Sequence, residues 1–160
     1  MPRPEVVAVE DPRERSAVCR EVLEALPEWF AIEEAVRQYI HDVADLPTFA
    51  VGRGAFLSLK LHNEWAGEIY VMGVRPERQG HGLGTALVES AEASLRSSGI
   101  EYLQVKTLGP SNPDDHYART RRFYHARGFR PLEELLGFWD EENPCLVMVK
   151  HLGGTATVLP

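Results

Sequence analysis

The sequence predicts an α+β chain in which strands and helices are mixed and the sheet is not wholly parallel. Three observations carry that expectation. Between Thr48 and Val74 three apolar, β-branched segments follow one another with only turns between them, which rules out a doubly wound, all-parallel arrangement. An apolar run ending at Val74 then turns through glycines directly into a helical pattern, and that helix leads to another apolar strand. Two further strand-like segments close the chain. At 160 residues with 44% apolar content, this is the size of one domain with a real core.

The elements follow in order. Pro4 to Glu10 is short and β-branched, a first strand. Arg13 to Leu26 reads as a helix, with Asp11 as N-cap, Pro12 at the first helical position and Val18, Val22, Leu23 and Leu26 as its apolar stripe. Pro27 closes it. A second helix is expected from Glu28 to Val43, burying Phe30, Ile32, Ala35, Val36, Tyr39 and Ile40, and Leu46-Pro47 ends that region. Thr48–Gly52 and Ala55–His62 form a hairpin across Gly52-Arg53-Gly54. Trp65–Val74 follows a turn at His62-Asn63-Glu64.

From Gly82 to Ser98 the period is helical: Leu83, Leu87, Ala91 and Leu95 recur every four residues, widened by Ala86 and Val88, and Gly99 suits the C′ position. Ile100–Thr107 reads as a buried strand. Asn112 is expected to cap a further helix with Pro113 at its start; Asp114 and Asp115 suit its positive end, and Arg121, Arg122, His125 and Arg127 its negative end. Gly128 stops it. Phe129–Phe138 and Cys145–Leu152 are expected to pair across the polar loop 140–144. The domain is read as 1–152, with 153–160 a flexible tail.

The segment from Val71 to Gly84 is chemically the most informative. A strand that turns through Gly80, Gly82 and Gly84 into a helix start aims backbone N–H groups and the positive end of the helix dipole at one point, an anion site. Three phosphate loops compete for it. A Walker loop needs Gly-Lys-Ser/Thr, and no lysine occurs between Leu61 and Tyr102. A Rossmann fingerprint needs a third glycine where Thr85 stands. The pattern Gln/Arg-x-x-Gly-x-Gly/Ala is met without a gap by Gln79, Gly80, His81, Gly82, Leu83 and Gly84. The bland alternative is a glycine-rich turn that merely opens a helix.

With the preceding Val74-Arg75-Pro76 turn, that loop resembles the acetyl-CoA diphosphate loop of the GNAT superfamily of N-acetyltransferases. Phe123-Tyr124-His125-Ala126-Arg127-Gly128-Phe129 resembles the superfamily's Tyr-x-x-x-Gly-Phe element, and the element order matches over nearly the whole chain. The resemblance implies a mixed sheet of about seven strands, splayed between the fourth and fifth, with helices on both faces and acetyl-CoA as co-substrate. It implies cofactor contacts from Met72, Gly73, Val74, Arg78, Gln79, Gly80, His81, Gly82, Leu83, Gly84, Thr85, Tyr117 and Tyr124, with Arg75 as a further phosphate candidate. Tyr117 stands where many relatives carry Asn, and Thr120 where Ala is frequent.

Acetyl transfer to an amine has three demands: removal of a proton from an ammonium group whose pKa in water is about 10.4, a donor for the developing oxyanion, and protection of the leaving thiolate. Glu68 is the candidate base. It shares a strand face with Tyr70, Met72 and Val74, and a glutamate at this offset from the phosphate loop resembles the base of the histone-acetyltransferase branch; otherwise it is a glutamate that starts a strand. Tyr124 is the candidate acid, because a phenol can hydrogen-bond a thiolate while neutral at pH 7; otherwise it packs a helix on the sheet. A backbone N–H near Val74 is the expected oxyanion donor, with the pantetheine arm pairing like an added strand. Gly73 suits close backbone approach.

A formal charge of −7 argues against a nucleic-acid partner and agrees with a cationic amine, small molecule or peptide. No apolar run approaches a membrane span, and the N-terminus carries no signal-peptide core, so a cytoplasmic protein is expected. Cys19 and Cys145 are expected as buried free thiols. The six histidines show no metal-ligand spacing, so no metal is expected. Acceptor walls are expected from 28–45, 108–116 and 138–143, and a homodimer through the C-terminal strands is plausible. Two rivals stand beside the enzyme: a non-catalytic CoA-binding module of the same fold, and a Rossmann-type redox domain.

Overall fold

A computed structural model of the chain describes residues 2–153. Except for Gly153, the expected tail lies outside the described residues. The elements are β1 (Val7–Val9), α1 (Pro12–Glu24), α2 (Glu33–Asp42), a 3-10 turn (Val43–Asp45), β2 (Thr48–Val51), β3 (Ala55–Leu61), β4 (Ala66–Val74), a second 3-10 turn (Pro76–Arg78), α3 (Leu83–Ser97), β5 (Tyr102–Leu108), α4 (Asp115–Ala126), β6 (Arg130–Leu135) and β7 (Cys145–His151). This is the order expected from the sequence. The strands form a mixed sheet in the order β1-β2-β3-β4-β5-β7-β6. Among the described residues the chain packs as two compact units interleaved in sequence, one comprising 2–60 with Ile69–Ala91, the other Leu61–Glu68 with 92–153.

In the first unit, β1, β2 and β3 form an antiparallel meander with Val7 opposite Ala50 and Thr48 opposite Ser58. The Asp11 carboxylate accepts from the Arg13 N–H at 2.8 Å, as its N-cap role requires. Spacing places Val18, Cys19, Val22 and Leu23 on one side of α1; these and Leu26, just past its end, are buried against Val43, Ala50, Phe56 and Val71. Each such aliphatic side chain removed from water contributes about 1.5–3 kcal/mol. Gly73 sits on the buried face of β4, where a methyl group would lie 2.9 Å from Val22 Cγ1 and 3.0 Å from Leu26 Cδ1. The close approach that this glycine permits is therefore that of α1.

The second helix is shorter than expected. After α1 the amides of Trp29 and Phe30 both bond to the Leu26 carbonyl, so the chain turns after Pro27 and α2 starts only at Glu33. Ile32 occupies its N-cap without any side-chain bond. No α2 residue is buried; Val36, Tyr39 and Ile40 are half-buried at the margin of the core.

In the second unit, β5 and β6 flank β7, both antiparallel to it, with Val105 opposite Met148 and Leu135 opposite Cys145. Helix α4 also starts later than expected. Asp114, not Asn112, is its N-cap, accepting from the amides of His116 and Tyr117 at 2.8 and 3.1 Å, because a carboxylate satisfies two orphan donors at once. The Asn112 amide group instead donates to the Glu142 carbonyl. Strand β6 ends at Leu135, short of the expected Phe138, because Gly137 takes a left-handed φ of 80° and the turn carries Phe138 out of the strand. A buried carboxylate, Glu92, lies 2.7 Å from Lys150 Nζ, which also donates to the Arg127 carbonyl; this pair ties α3, β7 and the end of α4 together. Among the described residues no helix is long and apolar enough to cross a membrane.

Candidate active site

The glycine loop lies in the first unit. Strand β4 ends at Val74, and Pro76–Arg78 forms a tight turn anchored by the Arg75 amide on the Gly54 carbonyl at 2.9 Å. The Gln79 side chain reaches back to donate to the Val74 carbonyl at 3.0 Å. Gly80 and Gly82 take φ values of 79° and 78°, which L side chains rarely adopt. Gly84 differs: it lies inside the first turn of α3 with ordinary helical φ. The Ala86 amide bonds back to the Gly82 carbonyl at 3.0 Å, and the amides of Leu83 and Gly84 belong to the positive first turn of the helix. Gly80, His81 and Gly82 are exposed, Gly84 and Thr85 half-buried and Leu83 buried. The Arg78 side chain folds back over Gly54, and Arg75 pairs with Glu77 at 2.8 Å. Upstream on β4, Met72 and Val74 are half-buried on the face opposite buried Val71 and Gly73.

The polar chemistry gathers in the second unit. The turn after β3 is closed by the Asn63 side-chain oxygen, which accepts from the amides of Trp65 and Ala66 at 2.8 and 2.9 Å, while the His62 amide bonds to the Ala66 carbonyl. That turn holds His62 beside Glu68. Alternation along β5 buries Leu103, Val105 and Thr107 and turns Gln104 and Lys106 to the other face. Glu68 is 6% exposed. Its Oε1 lies 2.6 Å from His62 Nε2, 2.8 Å from Lys106 Nζ and 3.2 Å from Gln104 Nε2. Lys106 Nζ stands 5.8 Å from the ring centre of exposed Phe138, which meets Trp139 edge to face. The loop behind these rings is held by Asp140, whose carboxylate accepts from the Asn143 side chain and from the amides of Glu142 and Asn143 and is thereby kept below its usual range. Burial pushes the Cys145 thiol up to about 11, with Lys106 pulling it down and Glu68 adding to the rise.

Tyr124 is buried on α4, edge to face with Phe123 at 5.4 Å and with Phe129 at 5.5 Å. Tyr117 is half-buried in the first turn of α4, and the Thr120 hydroxyl bonds back to the His116 carbonyl. Glu68 is legible in the sequence as a candidate, whereas its partners His62, Gln104 and Lys106 emerge only in the folded chain. Their signal was present in part: polar residues alternating with Leu103, Val105 and Thr107 mark one face of a strand. Among the described residues no group of three or more His, Cys, Asp or Glu side chains is arranged to hold a metal ion. Cys19 and Cys145 are both free and buried.

The chain belongs to the GNAT acetyltransferase family: the model of the acetyltransferase (GNAT) domain matches residues 43–131, more than half of its length. Among curated proteins it is 39% identical over 84 residues to a mycothiol acetyltransferase of Beutenbergia cavernae, a match covering 51% of this chain and 26% of that protein. The chain thus corresponds to about a quarter of the length of that relative. Among solved structures it is similar to a protein assigned to the GNAT family from Desulfovibrio desulfuricans, with TM-score 0.76 and 19% identity over 93% of this chain and 99% of the other. It also resembles a GNAT family acetyltransferase from Elizabethkingia anophelis with acetyl-CoA bound, with TM-score 0.64 and 12% identity over 92% of this chain and 97% of the other.

Proposed function

We propose that this protein is an acetyl-CoA-dependent N-acetyltransferase that acts on a primary amine of a small molecule or peptide. The observation that carries the reading is the loop from Gln79 to Gly84: two left-handed glycines lead into the positive first turn of a helix. That arrangement suits a diphosphate, since bare backbone can approach the oxygens and the helix dipole favours the charge. The Elizabethkingia protein of this fold holds acetyl-CoA, which supports the choice of ligand.

In this reading Gln79 through Thr85 bind the diphosphate, with Gln79 bracing the loop through the Val74 carbonyl. Met72, Gly73 and Val74 follow the pantetheine arm, and a Val74-region amide meets the oxyanion. The amine attacks the thioester directly. The polar group around Glu68 removes its proton, and the Tyr124 phenol meets the departing thiolate, with Tyr117 alongside the coenzyme. The acceptor is an amine, cationic until deprotonated, and the net negative chain favours its approach.

Isothermal titration with acetyl-CoA, followed by thiol release measured over a panel of polyamines, amino acids, aminoglycosides and peptide N-termini, tests this. Micromolar binding together with amine-dependent release is expected. No binding would remove the reading; binding without release from any amine would favour a non-catalytic module of the same fold.

A further inference from the structure

Resting on the acetyltransferase reading, we infer that His62 Nδ1 is the atom that takes the proton from the acceptor amine, and that Glu68 is a positioning residue that holds His62 in the correct tautomer. Glu68 Oε1 already receives Lys106 Nζ at 2.8 Å, His62 Nε2 at 2.6 Å and Gln104 Nε2 at 3.2 Å. A substrate proton at Oε1 must displace one of these donors, which leaves Oε2 as the carboxylate's one open acceptor, on a side chain that is 8% exposed. Glu68 as a residue is 6% exposed. His62 has the opposite situation: its side chain is 32% exposed, and Nδ1 has no partner among the described residues.

The tautomer follows from the partners. An ionised carboxylate is acceptor-only, and Oε1 already accepts from the Lys106 ammonium at 2.8 Å. A bare Nε2 at 2.6 Å would set two lone pairs against each other, so Nε2 carries the hydrogen and donates it. Gln104, 3.3 Å from the same nitrogen, then spends its amide hydrogen on Glu68. Neutral His62 is therefore left with a lone pair at Nδ1. The titratable groups about the imidazole are Glu68 on β4, Lys106 on β5, Cys145 on β7 next to that pair, and Glu64 in its own turn.

The proton balance is complete. The ammonium gives one proton to His62 Nδ1, leaving a neutral amine and an imidazolium, which loses that proton to solvent at its exposed edge. The amine lone pair forms the C–N bond and the C–S bond breaks. The Tyr124 hydroxyl proton goes to the thiolate, and the second nitrogen proton replaces it. Acetamide and CoA thiol leave, with one proton released.

The test combines nitrogen-15 NMR of the histidine rings with the pH dependence of kcat/KM, using the best acceptor from the amine panel. In the wild-type protein the His62 signals, identified by their loss in His62→Gln, are expected to report Nε2–H with a bare Nδ1 above pH 8; an Nδ1–H tautomer overturns the inference without reference to activity. His62→Gln is expected to lose about 100-fold in kcat/KM, the low end for a general base, together with the acid limb of the profile. Added imidazole is expected to restore part of the activity of His62→Ala. Glu68→Gln keeps an oxygen for Nε2–H, so it is expected to retain the limb with a smaller loss. Loss of the limb in Glu68→Gln and its survival in His62→Gln would overturn the assignment and return the proton to the carboxylate. Absence of thiol release by the wild-type protein is a different result: it sinks the acetyltransferase reading, and the role of His62 with it.

Discussion

Tyr124 lies in a frame of two aromatic rings, with Phe123 and Phe129 both edge-on to it. The phenyl part of the side chain accounts for the packing and the hydroxyl for the chemistry proposed, so the two are separable. Tyr124→Phe is expected to lower kcat while leaving the acetyl-CoA Kd and the thermal midpoint close to the wild-type values; a variant with unchanged kcat would clear the phenol of its role. The cysteines behave differently. Burial raises Cys19 to about 12 and Cys145 to about 11, so native protein at pH 8 is expected to resist a thiol-reactive disulfide reagent until denatured. The sign for stability follows from linkage. The folded chain keeps these thiols protonated where the unfolded chain ionises them near the ordinary thiol value of 9.0. Their contribution is complete below about pH 9 and fades as pH rises toward 11–12. The urea midpoint is expected to fall over that range, and to fall less in Cys19→Ala.

Among the elements, the start of α3 separates backbone demand from side-chain contact. A methyl group added at Gly82 meets nothing within 4 Å, yet the residue sits at φ 78°. Gly82→Ala is therefore expected to cost about 1–2 kcal/mol from the left-handed backbone alone and to weaken acetyl-CoA binding, as urea denaturation and calorimetry would show. A stable variant with unchanged affinity would mean that the loop does not hold the diphosphate. Helix boundaries were less legible than helix identity. Asp11 and Pro12 signalled the start of α1 correctly. At α4, Asn112-Pro113 offered the same kind of signal two residues early, and Asp114 prevailed because its carboxylate accepts two amides. At α2 the residues 28–32 have helical periodicity, but the turn after Pro27 takes their amides elsewhere.

For the whole molecule, the proposed co-substrate is also a stability reagent. A ligand that binds only the folded chain adds about 2.7 kcal/mol at a hundred times its Kd, so the thermal midpoint is expected to rise with acetyl-CoA concentration and to be unmoved by NADH. A midpoint indifferent to acetyl-CoA would count against the proposed reading. The fold class was legible because it rests on the spacing of apolar residues, a property of the chain itself: runs of alternation for strands, a four-residue recurrence from Leu83 to Leu95 for α3, and glycines where φ turns positive. Local sequence alone determined the element order and the glycine turn that opens α3. Only tertiary structure decided that Glu68 meets His62, Gln104 and Lys106, that Phe138 comes to lie over Lys106, and that Gly73 is bare to admit α1. Those contacts join residues far apart in the chain, or set on different strands, and no local pattern encodes a partner that arrives only when the sheet has formed.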